Sequence, residues 1–224
     1  DATIARMCRH IRFKGFYQTK ISLASALAQE AGVESGRNAD APDDAVDFFS
    51  HVAQNISDAA KNISTETLME CVEIIGGADT VYTAAWGNTG EIAADFAHRL
   101  TLKGIKSFVT DTPEYAIRSL NLGTANDVLV CISHSGETAH VIMAMELAKE
   151  LGMTVILITN TPKSPAVSLA DHVLCTDVWD ELFLDLGAAS HLMELVVVDA
   201  LIYFLNDKNK KGERAEMRLS QYKI

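Results

Sequence analysis

The chain has 224 residues, 48% of them hydrophobic and 22% charged, and carries a formal net charge of −11. This length and apolar content suit one well-packed domain with a small appendage. No apolar run reaches the ~18 residues of a membrane-spanning helix, and no charged region followed by an apolar core marks a signal peptide, so a membrane role is not expected.

The four cysteines, Cys8, Cys71, Cys131 and Cys175, lie far apart and form neither a CxxC pair nor a metal-ligand spacing. They read as buried thiols of a reducing cytoplasm. No metal centre, no cofactor and no catalytic residue is expected. Charge is uneven. Arg6, Arg9, Arg12, Lys14 and Lys20 stand against Asp1 alone in the first twenty residues, a balance of +4, so the remainder carries −15. The bulk of the protein therefore repels nucleic acid, while its first twenty residues attract it. The chain starts at Asp1 rather than at Met, and is expected to be a fragment or a trimmed product.

In chain order, Ile4, Met7, Cys8 and Ile11 share one helical face. A turn at Phe13-Lys14-Gly15-Phe16 leads to a second helix over residues 16–30. Residues 31–44 lose all periodicity and gather Gly, Asn, Asp and Pro, which predicts a linker. Pro42-Asp43-Asp44 then opens a helix with acidic residues in its first turn. Helical patterns fill 43–62 and 65–77. From Asp79 short apolar runs alternate with helix-length segments. The runs are 81–85, 106–109, 128–132, 155–159 and 172–175. The helices are 89–103, a short one at 114–120, 137–151, a short piece at 164–170 and a long one over 186–205. This alternation predicts βαβ units, a parallel sheet and a three-layer α/β/α sandwich of flavodoxin-like type. Residues 206–224 read as a polar tail or a final short helix.

Two strand-to-helix junctions carry chemistry. The stretch "VLVCISHSGET" ends an apolar strand in Ser133, His134, Ser135, Gly136, Glu137 and Thr138. Ligands of open parallel sheets bind outside the carboxyl ends of the strands. A helix start there offers free N–H groups and the positive end of its dipole. Ser135 is expected to cap that helix, Gly136 to let backbone approach a ligand, and the hydroxyls of Ser133, Ser135 and Thr138 to add donors. Such a site holds phosphate by neutral donors alone, with Glu137 directed away. The second junction, "VYTAAWGNTGEIA", places Gly87 and Thr89 at a helix start. Its glycine spacing fits neither GxGxxG nor the Walker A pattern, which argues against a dinucleotide or a nucleoside triphosphate.

The motifs "ISHSGET" and "VILITNTPKSPAVSLADHVLCT" resemble the sugar isomerase (SIS) domain, a phosphosugar-binding module, over roughly residues 45–205. The resemblance implies that Ser133, His134, Ser135 and Thr138 hold a sugar phosphate; Thr89 is expected to add a further hydroxyl from the neighbouring loop, and Gly87 and Gly136 to belong to the same site. Trp86, before the glycine of the first loop, narrows the sugar pocket. The N-terminal "DATIARMCRHIRFKGFYQTKISLASAL" resembles the end of the helix-turn-helix domain of RpiR-type transcriptional regulators, through Ala2, Thr3, Arg6, Phe13, Gly15, Phe16 and Leu27. That resemblance implies that residues 1–30 are the remnant of a DNA-binding domain starting inside its recognition helix. Thr3, Arg6, Arg9 and Lys14 would then contact operator DNA.

The expected protein is a cytoplasmic, sugar-phosphate-responsive regulator without turnover. A sugar-phosphate isomerase of the SIS class is the alternative, and a SIS subunit that binds another protein is a third reading. Isomerisation needs an acid and a base, yet Glu91, Glu114, His134, His140, His172 and His191 form no pair at a set spacing. His191 stands where related regulators carry Arg. Asp177, Asp180 and Glu181 form an acidic group that reads as a solvated loop, in a region with which the family often closes its pocket. The final helix, apolar on nearly every face, predicts at least a homodimer, or a homotetramer.

Overall fold

The computed structural model describes Met7, Cys8, His10, Thr19, residues 44–178, residues 191–205 and Ser220. The DNA-contact candidates Thr3, Arg6, Arg9 and Lys14 lie outside these residues, as do Asp180, Glu181 and residues 31–43 of the expected linker. Two compact units divide the chain: Asp1–Gln54 with Trp179–Ser190, and Asn55–Val178 with His191–Ile224. In the first, Met7, Cys8 and His10 are helical, Cys8 is buried and Met7 exposed. There also lie the opening turns of helix α1 (Ala45–Asn62). They begin where the sequence places an acidic start: an Asp44 carboxylate oxygen accepts the N–H groups of Val46 at 2.7 Å and Asp47 at 2.9 Å, an N-cap.

The second unit holds the sheet. Its elements are α2 (Thr65–Gly77), β1 (Val81–Ala84), α3 (Asn88–Leu102), β2 (Ser107–Phe108), α4 (Pro113–Leu120), β3 (Val128–Ile132), α5 (Ala139–Glu150), β4 (Thr154–Thr159), a 3₁₀ turn (Pro165–Leu169), β5 (His172–Cys175) and α6 (Leu192–Phe204). The five strands lie in the order β2-β1-β3-β4-β5, all parallel. Every residue of β3 is buried, as a central parallel strand covered on both faces requires. Alternate strand residues feed two cores. Val81, Val128, Val130, Ile132, Ile156 and Ile158 meet α2, α3 and α6 on one face. Leu129, Cys131, Val155 and Leu157 meet α5 and the end of α4 on the other. The expected three-layer sandwich is the observed one.

Two boundaries differ from expectation. The helix read from Glu137 starts at Ala139, because the preceding residues form a tight turn described below. The long final helix begins, among the described residues, at Leu192. It is also less uniform than its composition implies. Val197, Val198, Leu201 and Ile202 face the core, whereas Asp199, Tyr203 and Phe204 are exposed. Asp199 pairs with Arg99 of α3. Cys71 and Cys131 are buried and Cys175 half-buried. Burial raises all three thiols, Cys71 to about 12, so they remain protonated at neutral pH.

The carboxyl end of the sheet is locked by Asn160. Its carbonyl oxygen accepts the Thr176 hydroxyl at 2.6 Å and the Val178 N–H at 2.9 Å. Its amide donates to the Val178 carbonyl at 2.9 Å. Three bonds thus join the end of β4 to the segment leaving β5. Asn160→Ala removes all three and is expected to lower unfolding stability by about 2–3 kcal/mol, measured by urea denaturation.

Candidate functional site

In the observed strand order, the chain goes from β1 outward to β2 and then returns to β3 on the other side of β1. Consecutive connections therefore leave in opposite directions at β1 and β3, and a crevice opens at their carboxyl ends. Both expected junctions sit there. β1 delivers Gly87 and Thr89, and β3 delivers the loop Ser133–Thr138. The strands pair in register from Val81↔Val128 to Ala84↔Cys131, which makes the two loops neighbours.

The Ser133–Thr138 loop is a closed turn held by its own hydroxyls. The Gly136 N–H donates to the Ser133 carbonyl at 3.1 Å and to its hydroxyl oxygen at 3.2 Å. The Glu137 N–H donates to the Ser135 hydroxyl oxygen at 3.2 Å. The Ser133 and Thr138 hydroxyls lie 3.3 Å apart. Ser135 thus closes the turn instead of capping the helix. The residue at the cap is Thr138, whose side chain makes no capping bond. The first-turn amides of α5 are therefore not taken by Thr138, and the positive end of the helix faces the turn. Glu137 is exposed, directed away as expected.

Gly136 sets the shape of this turn. Its φ is +61°, a left-handed conformation that glycine adopts without penalty. A Cβ there would lie 2.0 Å from the Ser164 hydroxyl oxygen and 2.5 Å from its Cβ. Ser164 is buried, and its hydroxyl has no hydrogen-bond partner among the described residues. An unpaired buried hydroxyl against a turn of donors suits an oxygen-rich ligand. Ser164, which lies within the second quoted motif, was not among the expected binders.

The backbone of His134 anchors the turn to β4. Its carbonyl accepts the Asn160 N–H at 3.1 Å and the hydroxyls of Thr159 and Thr161, each at 3.2 Å. Its ring turns the other way, with Nδ1 2.7 Å from a carboxylate oxygen of the fully buried Glu194. The His191 ring packs edge-on against His134 at 5.4 Å. Burial lowers the pKa of His191; Glu194 opposes the shift and His134 adds to it. Sequence reasoning had singled out both histidines separately and missed Glu194. Its one sign was a carboxylate near the start of a helix whose only other charged residue is Asp199.

The first loop contributes differently from expectation. Gly87 has φ +71° and precedes α3, so its glycine is required. Thr89 is buried and its hydroxyl donates to the Trp86 carbonyl at 3.2 Å. Its hydrogen is therefore directed into its own loop and not toward Ser133–Thr138. The Trp86 ring meets His140 edge-on at 5.9 Å, bridging the two junctions. Of the remaining titratable candidates, Glu91 and Glu114 are exposed, and His172 pairs with Glu70 at 3.4 Å.

The SIS domain model matches residues 74–202. The chain is 25% identical to the HTH-type transcriptional regulator RpiR of Escherichia coli K12, over 99% of this chain and 75% of that protein. It is 28% identical to an uncharacterized HTH-type transcriptional regulator of Haemophilus influenzae, over 92% of this chain and 73% of that one. Among solved structures, the Vibrio vulnificus NanR protein complexed with ManNAc-6P superposes with a TM-score of 0.72. It is 24% identical and covers 99% of this chain and 80% of its own. The Escherichia coli CFT073 protein c3406 in complex with A5P superposes at 0.61, with 26% identity over 79% of this chain and 96% of its own.

Gly136→Ala tests the turn. The strained φ and the clash with Ser164 are expected to cost about 1–3 kcal/mol of stability, measured by thermal unfolding. The double variant Gly136→Ala/Ser164→Gly is expected to recover the part due to the clash, leaving the part due to φ.

Proposed function

The chain belongs to the SIS domain family, and from that premise we propose that it is a sugar-phosphate-responsive transcriptional regulator of the RpiR type. The observation that carries the effector site is the Ser133–Thr138 turn, with its hydroxyls, its Gly136 approach and the uncapped start of α5 beside it. Ser133, Ser135, Thr138 and Ser164 supply neutral donors to a phosphate, and the amides of the first turn of α5 supply the dipole. Gly87 and Trp86 bound the sugar end from the neighbouring strand. The complex of the c3406 protein with A5P supports a phosphosugar as the ligand class. The named regulators among the relatives support the output.

Turnover is not part of this reading. The His134–Glu194 pair is the one acid–base arrangement near the turn among the described residues. The fully buried Glu194 engages the His134 Nδ1, which leaves the Nε2 of His134 as the ring atom on which the isomerase reading rests. Aldose–ketose isomerisation, the second reading, needs a group free to take a proton from the sugar carbon.

The output side rests on the basic N-terminal residues Thr3, Arg6, Arg9 and Lys14 as operator contacts. Self-association is part of the same reading. Tyr203 and Phe204 of α6 stand exposed beside Arg99 of α3 and Lys103 just after it, and an aromatic-and-arginine surface of this kind suits an interface between like subunits. The effector's differential affinity for two arrangements of such an assembly would then set its affinity for DNA. No helix among the described residues is long and apolar enough to cross a membrane.

Two measurements test the proposal. Calorimetry is expected to show binding of a sugar phosphate and none of the parent sugar, with Ser135→Ala weakening binding by about 1–2 kcal/mol. Equal affinity for both sugars removes the phosphate site. The DNA role predicts that affinity for a palindromic operator falls steeply with salt. Arg6→Ala is expected to lower it, uniformly across sequences or at one base pair according to whether Arg6 meets phosphate or a base edge. Gel-shift titrations at several salt concentrations read both.

A further inference from the structure

His134, His191 and Glu194 converge from two elements. His134 lies in the turn after β3, whereas His191 and Glu194, three positions apart, lie on one side of the first turn of α6. One donor atom from each lies within 4.8 Å of the other two. Glu194 is fully buried. One of its oxygens meets His134; the second has no hydrogen-bond partner among the described residues, nor does the buried Nδ1 of His191. Two orphaned polar atoms in one small volume are expensive unless something occupies the space between them. A carboxylate buried with only one imidazole at its edge adds to the cost.

The donor chemistry narrows the occupant. Two imidazoles and one carboxylate form a borderline nitrogen–oxygen set, which favours zinc-class divalent ions over magnesium or calcium. Three such protein ligands with a fourth position open are the composition of a zinc site that also binds a small molecule. Ligands about 2.0–2.1 Å from an ion sit about 3.3 Å apart in a tetrahedron. An ion in place of the His134–Glu194 hydrogen bond would widen that 2.7 Å contact to the ligand spacing and draw in the His191 nitrogen, which lies within 4.8 Å of the other two donors.

We propose that His134, His191 and Glu194 form a binding site for a divalent transition metal of the zinc class, with its open coordination position available to a hydroxyl of the bound sugar. His134 supplies its backbone to the turn and its ring to the metal, so the two sites are adjacent. The role toward a sugar rests on the functional reading above; the metal site itself does not. A metal there would select ligands by the position of their hydroxyls, beyond the phosphate common to all of them.

The test uses the full chain, stripped with a chelator and titrated with cobalt(II) and then zinc(II), read by calorimetry and by the visible spectrum of cobalt. The expected result is one cobalt per chain, with the absorption of a four- or five-coordinate site that zinc abolishes. Glu194→Gln and His191→Asn are each expected to lower metal affinity at least ~100-fold, since loss of even an outer partner of a ligand costs up to that much. His191 is partly exposed, so His191→Asn separates lost ligation from lost folding, with circular dichroism as the check. No cobalt uptake at micromolar concentration overturns the proposal, as does wild-type affinity in either variant. Ser135→Ala keeps cobalt affinity if the two sites are distinct. Cobalt binding without sugar-phosphate binding removes the effector reading alone, and the reverse removes the metal site alone.

Discussion

Everything at the carboxyl end of the sheet depends on the carbonyl of His134. It gathers three donors from β4 and the two residues after it, more than a backbone oxygen normally satisfies. These bonds fix the turn after β3 against the end of the neighbouring strand. With the peptide so held, Gly136 is carried to the Ser164 side chain and the His134 ring to Glu194. The turn of hydroxyls and the histidine–glutamate pair are thus two faces of one constrained residue.

The sheet topology makes that constraint useful. A reversal of winding between β1 and β3 opens a crevice, and the chain lines it with side chains that carry no charge. Ser133, Ser135, Thr138 and Ser164 offer hydrogen-bond donors at low desolvation cost, whereas a buried lysine ammonium costs far more to desolvate. The carboxylate nearest in sequence, Glu137, is exposed. The dipole of α5 is then the main fixed positive field beside the turn.

Much of this was legible in the sequence. The expected limits of β3 and β5 match those observed, because each is a short apolar run stopped by polar residues: Asp127 and Ser133 for β3, Asp171 and Thr176 for β5. The strand order, and with it the adjacency of the two loops, could not be read from periodicity, which reports faces and not neighbours. The helix start at 139 escaped because Ser135 has cap chemistry but a non-helical neighbour, and the left-handed Gly136 interrupts the helix before it can begin. Thr89 was expected among the phosphate donors, yet a hydroxyl near a helix start competes for its own backbone, and Trp86 provides the acceptor. Glu194 escaped for another reason. Of the two carboxylates in that apolar helix, nothing local marks Glu194 as the buried one, and the histidine that meets it comes from another layer of the fold.

A sheet whose five strands are all parallel has no hairpin anywhere in it. Each pairing must wait for a crossover to close, which costs chain entropy before any contact repays it and makes such topologies slow to fold. The β1–β3 pairing also has to bridge the excursion through α3, β2 and α4. Until it forms, the two loops of the candidate site belong to separate stretches of chain and bind nothing in common. A ligand that spans them therefore recognises the completed sheet and not either half, so its occupancy reports how much of the population has finished folding.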